Sequence, residues 1–141
     1  MKKITKNMKN AAIMLGLFIS FSLITVSTVK AKSNIKSYDT CFTTASGSIK
    51  QIRSIAIKGD RLVVVGPLKS GKKILPSKKR TFKISKAAKY YMAEDISKSR
   101  MTKKKFAQTC RSISSYSSSD TLKAFSFSTK GKNVVKLVYY P

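Results

Sequence analysis

From residue 49 the apolar positions fall at Ile49, Ile52, Ile55 and Ile57, and after Gly59-Asp60 they resume at Leu62, Val63, Val64 and Val65. Two β-rich runs separated by Gly-Asp match a two-residue hairpin, with glycine taking the positive φ at the first corner. The register that follows sets Ile57 opposite Leu62 and Ile55 opposite Val64 on one side, while Ala56 meets Val63 on the other. Thr81-Phe82-Lys83-Ile84-Ser85 alternates polar and apolar residues and predicts a third strand, which residues 88–92 either extend or follow with a short fourth piece. At 101–113 the period changes. Phe106, Cys110 and Ile113 recur at helical spacing behind Thr102, a residue suited to cap the start, and serines 112, 114, 115, 117, 118 and 119 should break the helix into a flexible loop. Residues 122–128 and 134–140 then close the chain as two strands around Lys130-Gly131-Lys132-Asn133, with Phe125 and Phe127 alternating in the first.

Two stretches carry no such period. Residues 32–44 are polar and without period and read as an arm that Cys41 pins to the body, while 66–80 is rich in glycine, proline, serine and lysine and reads as a connection with Ile74-Leu75 as a short edge segment. The first 31 residues have a different texture. A lysine-rich start, the uncharged run 11–29 and the small residues Val29 and Ala31 make a signal peptide cut after Ala31; an uncleaved membrane tether is the rival, since the run is long enough to span a bilayer. Ser20, Ser22, Thr25, Ser27 and Thr28 favour removal by making its second half polar. The expected organisation is a signal peptide at 1–31, an N-terminal arm at 32–46 and one domain at 47–141, with a secreted or extracellular location.

Charge sharpens this picture. The chain carries 30 Lys and Arg against 5 Asp and Glu, a formal +25. The five lysines Lys2, Lys3, Lys6, Lys9 and Lys30 would leave with the leader, so 25 basic and 5 acidic residues, or +20, remain. Such a field attracts teichoic acids, glycans, nucleic acid and anionic surfaces, and the attraction weakens as salt rises. Only Arg53, Arg61, Arg80, Arg100 and Arg111 supply the planar fork that reads an anion with two bonds at once, so the binding should be unselective, with no specific nucleic-acid partner. The basic runs Lys78-Lys79-Arg80 and Lys103-Lys104-Lys105 are the candidate patch. The second triplet stands in the first helical turn, where cations oppose the helix dipole. Tyr90, Tyr91, Tyr139 and Tyr140 offer stacking faces, although adjacent tyrosines in a strand split between its two faces and one of each pair belongs to the core.

Catalytic parts are missing. No histidine is present, and neither Ser70-Gly71-Lys72-Lys73 nor Ser33-Asn34-Ile35-Lys36 sits where a strand turns into a helix, as a serine-lysine pair would require. Glu94 and Asp95 are neighbours and diverge in a strand or a helix, so they cannot share a reacting group. Cys41 and Cys110, an even pair in a chain expected to be exported, predict a disulfide worth about 4 kcal/mol in the loop-entropy model. Two cysteines without histidine cannot form the usual metal cage, so neither a metal nor another cofactor is expected.

The order strand, strand, strand, helix, strand, strand resembles the OB barrel, and Gly47-Ser48-Ile49, Leu62-Val63-Val64-Val65, Thr81-Phe82-Lys83-Ile84 and Asn133-Val134-Val135-Lys136-Leu137 look like small OB-like domains of bacterial secreted proteins of unassigned function. The resemblance implies a mainly β fold, a small barrel of about five strands with one short helix between the third and fourth. Thermonuclease-like proteins are secreted basic OB enzymes too, but their calcium-holding acid cluster has no counterpart among the five scattered acids here. The resulting expectation is a non-enzymatic binding module for anionic polymers or cell-surface components that meets a membrane only through its signal peptide. The alternative is a host-directed interaction module using the Lys58-Gly59-Asp60 tip, which resembles an integrin-binding tripeptide.

Overall fold

A computed structural model describes residues 34–116 and 121–141. The expected signal peptide, its cut after Ala31 and serines 117, 118 and 119 lie outside these residues. Residues 33–141 form one compact unit. The described residues are mainly β: β1 (Ile35–Asp39), β2 (Cys41–Thr43), β3 (Ile49–Gln51), β4 (Ser54–Lys58), β5 (Arg61–Ser70), β6 (Lys73–Glu94), β7 (Ser97–Met101), helix α1 (Lys103–Ser115), β8 (Phe125–Lys130) and β9 (Asn133–Tyr139). No helix among them is long and apolar enough to cross a membrane.

Seven strands pair in the order β4-β5-β1-β8-β9-β6-β7, and a further pairing of β5 with β6 closes β5, β1, β8, β9 and β6 into a ring. Every pairing in the ring is antiparallel except that of β6 with β9. Leu62, Val64, Leu68, Ile84, Phe125, Phe127, Val134 and Leu137 point inward, and α1 adds Phe106 and Cys110 to the same core. Two aromatic groups fill it: Tyr38, Phe82 and Phe127 with centroids 4.9 to 5.7 Å apart, and Phe106 between Tyr90 and Phe125.

The hairpin 54–65 has the expected register, Ile57 to Leu62, Ala56 to Val63 and Ile55 to Val64, and Gly59 turns it at φ 61°. Thr102 caps α1 by accepting the Lys105 N–H at 3.2 Å. The serines do not stop the helix where expected: it runs through Ser115, because Ser114 faces the edge of β4, accepting the Ile55 N–H at 2.9 Å and donating to the Ile55 carbonyl at 2.8 Å. Met101 ends β7 rather than opening the helix.

Three further expectations are corrected. The helix follows the seventh strand rather than standing between the third and fourth, because β1, β3 and β7 are largely polar and β2 has only three residues, so their sequences carry no apolar alternation. The 32–46 arm is not peripheral: β1 lies inside the sheet between β5 and β8. The connection 66–80 is a second hairpin, β5 running to Ser70 and β6 starting at Lys73, with a register slip between Gly66 and Leu68. That slip accommodates Pro67 and Pro76, which have no amide hydrogen for a ladder.

Residues 40–53 interrupt what would otherwise be one continuous first strand. β4 and β1 both pair with β5, β4 at residues 61–65 and β1 at Lys69. Between them the chain leaves at Thr40, makes the β2–β3 hairpin and returns at Ile52. At the neck the Ile52 N–H donates to the Thr40 carbonyl at 2.9 Å and the Arg53 N–H to the Val65 carbonyl at 2.7 Å. The returning backbone crosses directly over Gly66, whose φ is 137° and where an added Cβ would stand 2.6 Å from Ile52 Cα.

Gly66→Ala should therefore lose about 2 kcal/mol or more in denaturant unfolding, since both the backbone angle and the crossing resist a side chain. Gly59→Ala, at a turn with open space around it, should lose about 1 kcal/mol. Equal losses at the two positions would show that the crossing is not a constraint.

Candidate functional site

The six cations singled out in the sequence do not form one patch. Lys78 lies opposite Gly66 and Lys79 opposite Val65, so neighbouring lysines on β6 project to opposite faces of the strand. Arg80 is committed to structure: its guanidinium donates to the carbonyls of Gly66 at 3.0 Å, Pro76 at 2.6 Å and Lys78 at 3.4 Å, tying the register slip together. Lys103, Lys104 and Lys105 are exposed on the first turn of α1, directly after Met101, which pairs with Tyr90 near the far end of β6. The strand between Arg80 and Tyr90 would span about 33 Å if straight.

A different group is assembled by alternation. On the face of β6 opposite the core stand Lys83, Lys89 and Tyr91. Lys89 is in register with Lys136 of β9, and Tyr91 is in register with Arg100 of β7 and Val138 of β9. Lys136 Nζ lies 5.6 Å from the centroid of the Tyr91 ring. The next strand supplies hydroxyls: Ser128 is opposite Lys136, Ser126 opposite Val138, and Ser37 of β1 opposite Ser128 at 3.0 Å between their oxygens. The Tyr140 hydroxyl meets Ser126 Oγ at 3.2 Å. Lys98, two residues before Arg100, adds a further cation to this face of β7. At the β6–β7 turn the sheet gives way to an open depression of about 860 Å³ bordered by Glu94, Asp95, Ile96, Lys98, Tyr140 and Pro141.

A second basic row crosses the other end of the same face, Lys58 opposite Arg61 and Arg61 opposite Lys83. Like charges on directly opposed strand positions repel, so the sheet carries a destabilising row of cations that its own packing does not use. The tyrosines divide as alternation requires. Tyr90 is buried and Tyr139 packs against Phe125 at 5.1 Å, while Tyr140 stays open to solvent. Tyr91 is not a free stacking platform, because Lys136 spans it.

The Lys58-Gly59-Asp60 tip is exposed but held, since the Asp60 carbonyl accepts the Ile84 N–H at 2.6 Å and fixes the turn against β6. Cys41 and Cys110 are both free. The expected bridge is not formed, because Cys110 faces the core from the middle of α1 and Cys41 belongs to the β2–β3 hairpin. Burial pushes the Cys110 thiol up to about 12 and raises that of Cys41. Among the described residues no cluster of three or more Cys, Asp or Glu side chains is placed to hold a metal ion. No protein-family model, characterised protein or solved structure matches this chain.

The thiols give a pH prediction. With its pKa raised above the unfolded value of 9.0, Cys110 stays protonated when folded while the unfolded chain loses the proton. Stability should be unaffected by this group below pH 9 and fall as pH rises from about 9 towards 12. The raised phenols of Tyr90 and Tyr139 act in the same direction at higher pH. At neutral pH a thiol reagent should label Cys41 on the native protein and reach Cys110 only in denaturant. Equal native labelling at both positions would contradict the buried placement of Cys110.

Proposed function

We propose that the protein is a non-enzymatic binding module for anionic polymers, and that the sheet face bearing Lys89, Tyr91, Lys98, Arg100 and Lys136 is where the polymer lies. The observation that carries this is the cross-strand convergence of Lys89, Lys136 and Arg100 around Tyr91, with Ser126, Ser128 and Ser37 continuing the same face as hydrogen-bonding groups. Adjacent strands are roughly 5 Å apart, so the directly opposed Lys89 and Lys136 can engage neighbouring charges of a phosphate or sulfate chain while Arg100, opposite Tyr91, reaches a further one. The Tyr91 ring is covered by an ammonium, so charge and hydroxyl contacts carry the binding. Stacking does not. These cations stand on an open sheet face rather than in a shaped slot, and all but Arg100 are lysines, which fits loose recognition of a polyanion better than readout of a sequence.

The OB-like reading belongs to the same proposal. Its supports are the closed ring of five strands and the helix packed against it, an architecture whose open face serves oligonucleotides and oligosaccharides in OB folds. On this reading the protein acts outside the cell, and Lys79 and Lys103, Lys104 and Lys105 strengthen the long-range field without forming the contact surface.

Binding of single-stranded DNA and heparin across a salt series tests the assignment. The triple variant Lys89→Gln, Arg100→Gln, Lys136→Gln should lower the slope of log affinity against log salt for single-stranded DNA by about 2, at about 0.7 for each phosphate that is no longer neutralised. Neutralising Lys103, Lys104 and Lys105 should change it less. If the helix triplet proves the more damaging change, the sheet face is not the binding surface.

A further inference from the structure

The inner side of the ring opens beside the β5–β6 turn into a pocket of about 310 Å³ lined by Lys36, Tyr38, Ser70, Lys73 and Leu75. All five side chains are directed there by strand register. Tyr38 is opposite Phe127 and Lys36 opposite Thr129 on β8, both of which are buried. Leu75 is opposite the buried Leu68, and Lys73 opposite Ser70.

The floor is aromatic and fixed. The Tyr38 ring stacks on Phe127 with centroids 4.9 Å apart and planes at 19°, and Phe82 supports it at 5.7 Å. Leu75 supplies an apolar wall. Two ammonium groups share the lining with the Ser70 hydroxyl, and among the described residues no carboxylate lines the pocket. Asp39, the acid nearest in sequence, is in register with Lys69 and Ser126 on the opposite face of the sheet. Lys36 and Lys73 are themselves exposed, and the structure brings both cations to the lining of a pocket that also holds Tyr38.

From this geometry we infer that the pocket is a second binding site, for a phosphate monoester carried on one planar ring, with the ring against Tyr38 and Leu75 and the phosphate between Lys36 and Lys73. The volume stands at the lower end of the range for ligand pockets, roughly 300 to 1,000 Å³, and admits one ring unit rather than a stretch of polymer. Lysines meet a phosphate as point charges at variable angle, which suits a mobile monoester. The site does not depend on the polymer-binding face, since its lysines project from the opposite side of the sheet.

Adenosine 5′-monophosphate is the probe, with adenosine and inorganic phosphate as its halves, followed by calorimetry and by the ring resonances of Tyr38. The expected result is saturable binding of the monophosphate with a shift of the Tyr38 signals, and binding about tenfold weaker or worse for either half. Lys36→Gln with Lys73→Gln should weaken the monophosphate by about tenfold or more; both residues are exposed, so thermal unfolding should be unchanged. The Lys89→Gln, Arg100→Gln, Lys136→Gln variant should bind it as the parent does. The inference is overturned by an absence of saturable binding, by binding that survives Lys36→Gln with Lys73→Gln, or by binding that disappears in the Lys89, Arg100 and Lys136 variant.

Discussion

The structure depends on the crossing of Ile52 and Arg53 over Gly66. Without it the first strand cannot be interrupted and resumed along the same edge of β5, because β1 and β4 would be separated by an uncovered stretch of that edge. Arg53 fills part of the gap by donating to the Val65 carbonyl, and Thr40 closes the neck from the other side. Thr40 is completely buried, and its hydroxyl accepts the Phe125 N–H at 2.8 Å while lying 2.7 Å from the Lys123 carbonyl and 3.0 Å from that of Phe125. Lys123 completes the join, its Nζ donating to the Arg53 carbonyl at 2.8 Å and its N–H to Gln51 Oε1 at the same distance. One buried polar node thus ties the excursion at 40–53 to the strand that follows the helix. Every buried side-chain polar atom among the described residues has a partner, which is what makes such a node stabilising rather than costly.

The node also explains why lysine, abundant on the surface, is used inside at position 123. A long side chain reaches from the start of β8 to the Arg53 carbonyl, and its position beneath the neck keeps it 8% exposed. Arg80, tied to three carbonyls at the register slip, is comparable; the cations of the exposed rows are not. Lys58, Arg61 and Lys83 stand in mutual opposition across three strands, and Lys103, Lys104 and Lys105 oppose the dipole of a helix with no acid in its first turn. These charges cost stability and satisfy no internal group, which is the physical ground of the proposed polyanion contact.

The elements legible in the sequence are those whose apolar residues repeat with a clear period. The 54–65 hairpin is legible down to its register because the Gly59-Asp60 turn fixes which residues face each other, and α1 because Phe106 and Cys110 are one helical turn apart behind a threonine cap. β1, β2, β3 and β7 are illegible for the converse reason. Ile35 and Ile49 are exposed, Ser97 to Arg100 is an exposed edge, and strands whose neighbours rather than their own apolar faces hold them carry no alternation to detect. Gly66 and Pro76 read as loop signals, yet one serves a close crossing and the other a register slip, two uses that glycine and proline share with loops.

The candidate sites do not show in the sequence because consecutive cations attract the eye, and in a strand consecutive residues part company. Lys78 and Lys79 demonstrate this directly. Functional neighbours on a sheet are two apart along a strand or opposite across strands: Lys89 and Tyr91 obey the first rule, Lys89 with Lys136 and Tyr91 with Arg100 the second. Only the spacing of Lys89 and Tyr91 is there to be read, since the cross-strand partners depend on the parallel pairing of β6 with β9, which joins segments more than forty residues apart. The same alternation divides the basic residues of β1, β5 and β6 into two populations. Lys36 and Lys73 turn inward to a small aromatic-floored pocket, while Lys69 and Lys83 turn outward. Under the two proposals, strand alternation in one lysine-rich chain supplies two chemically different anion sites, one extended over a sheet face and one in a small aromatic-floored pocket.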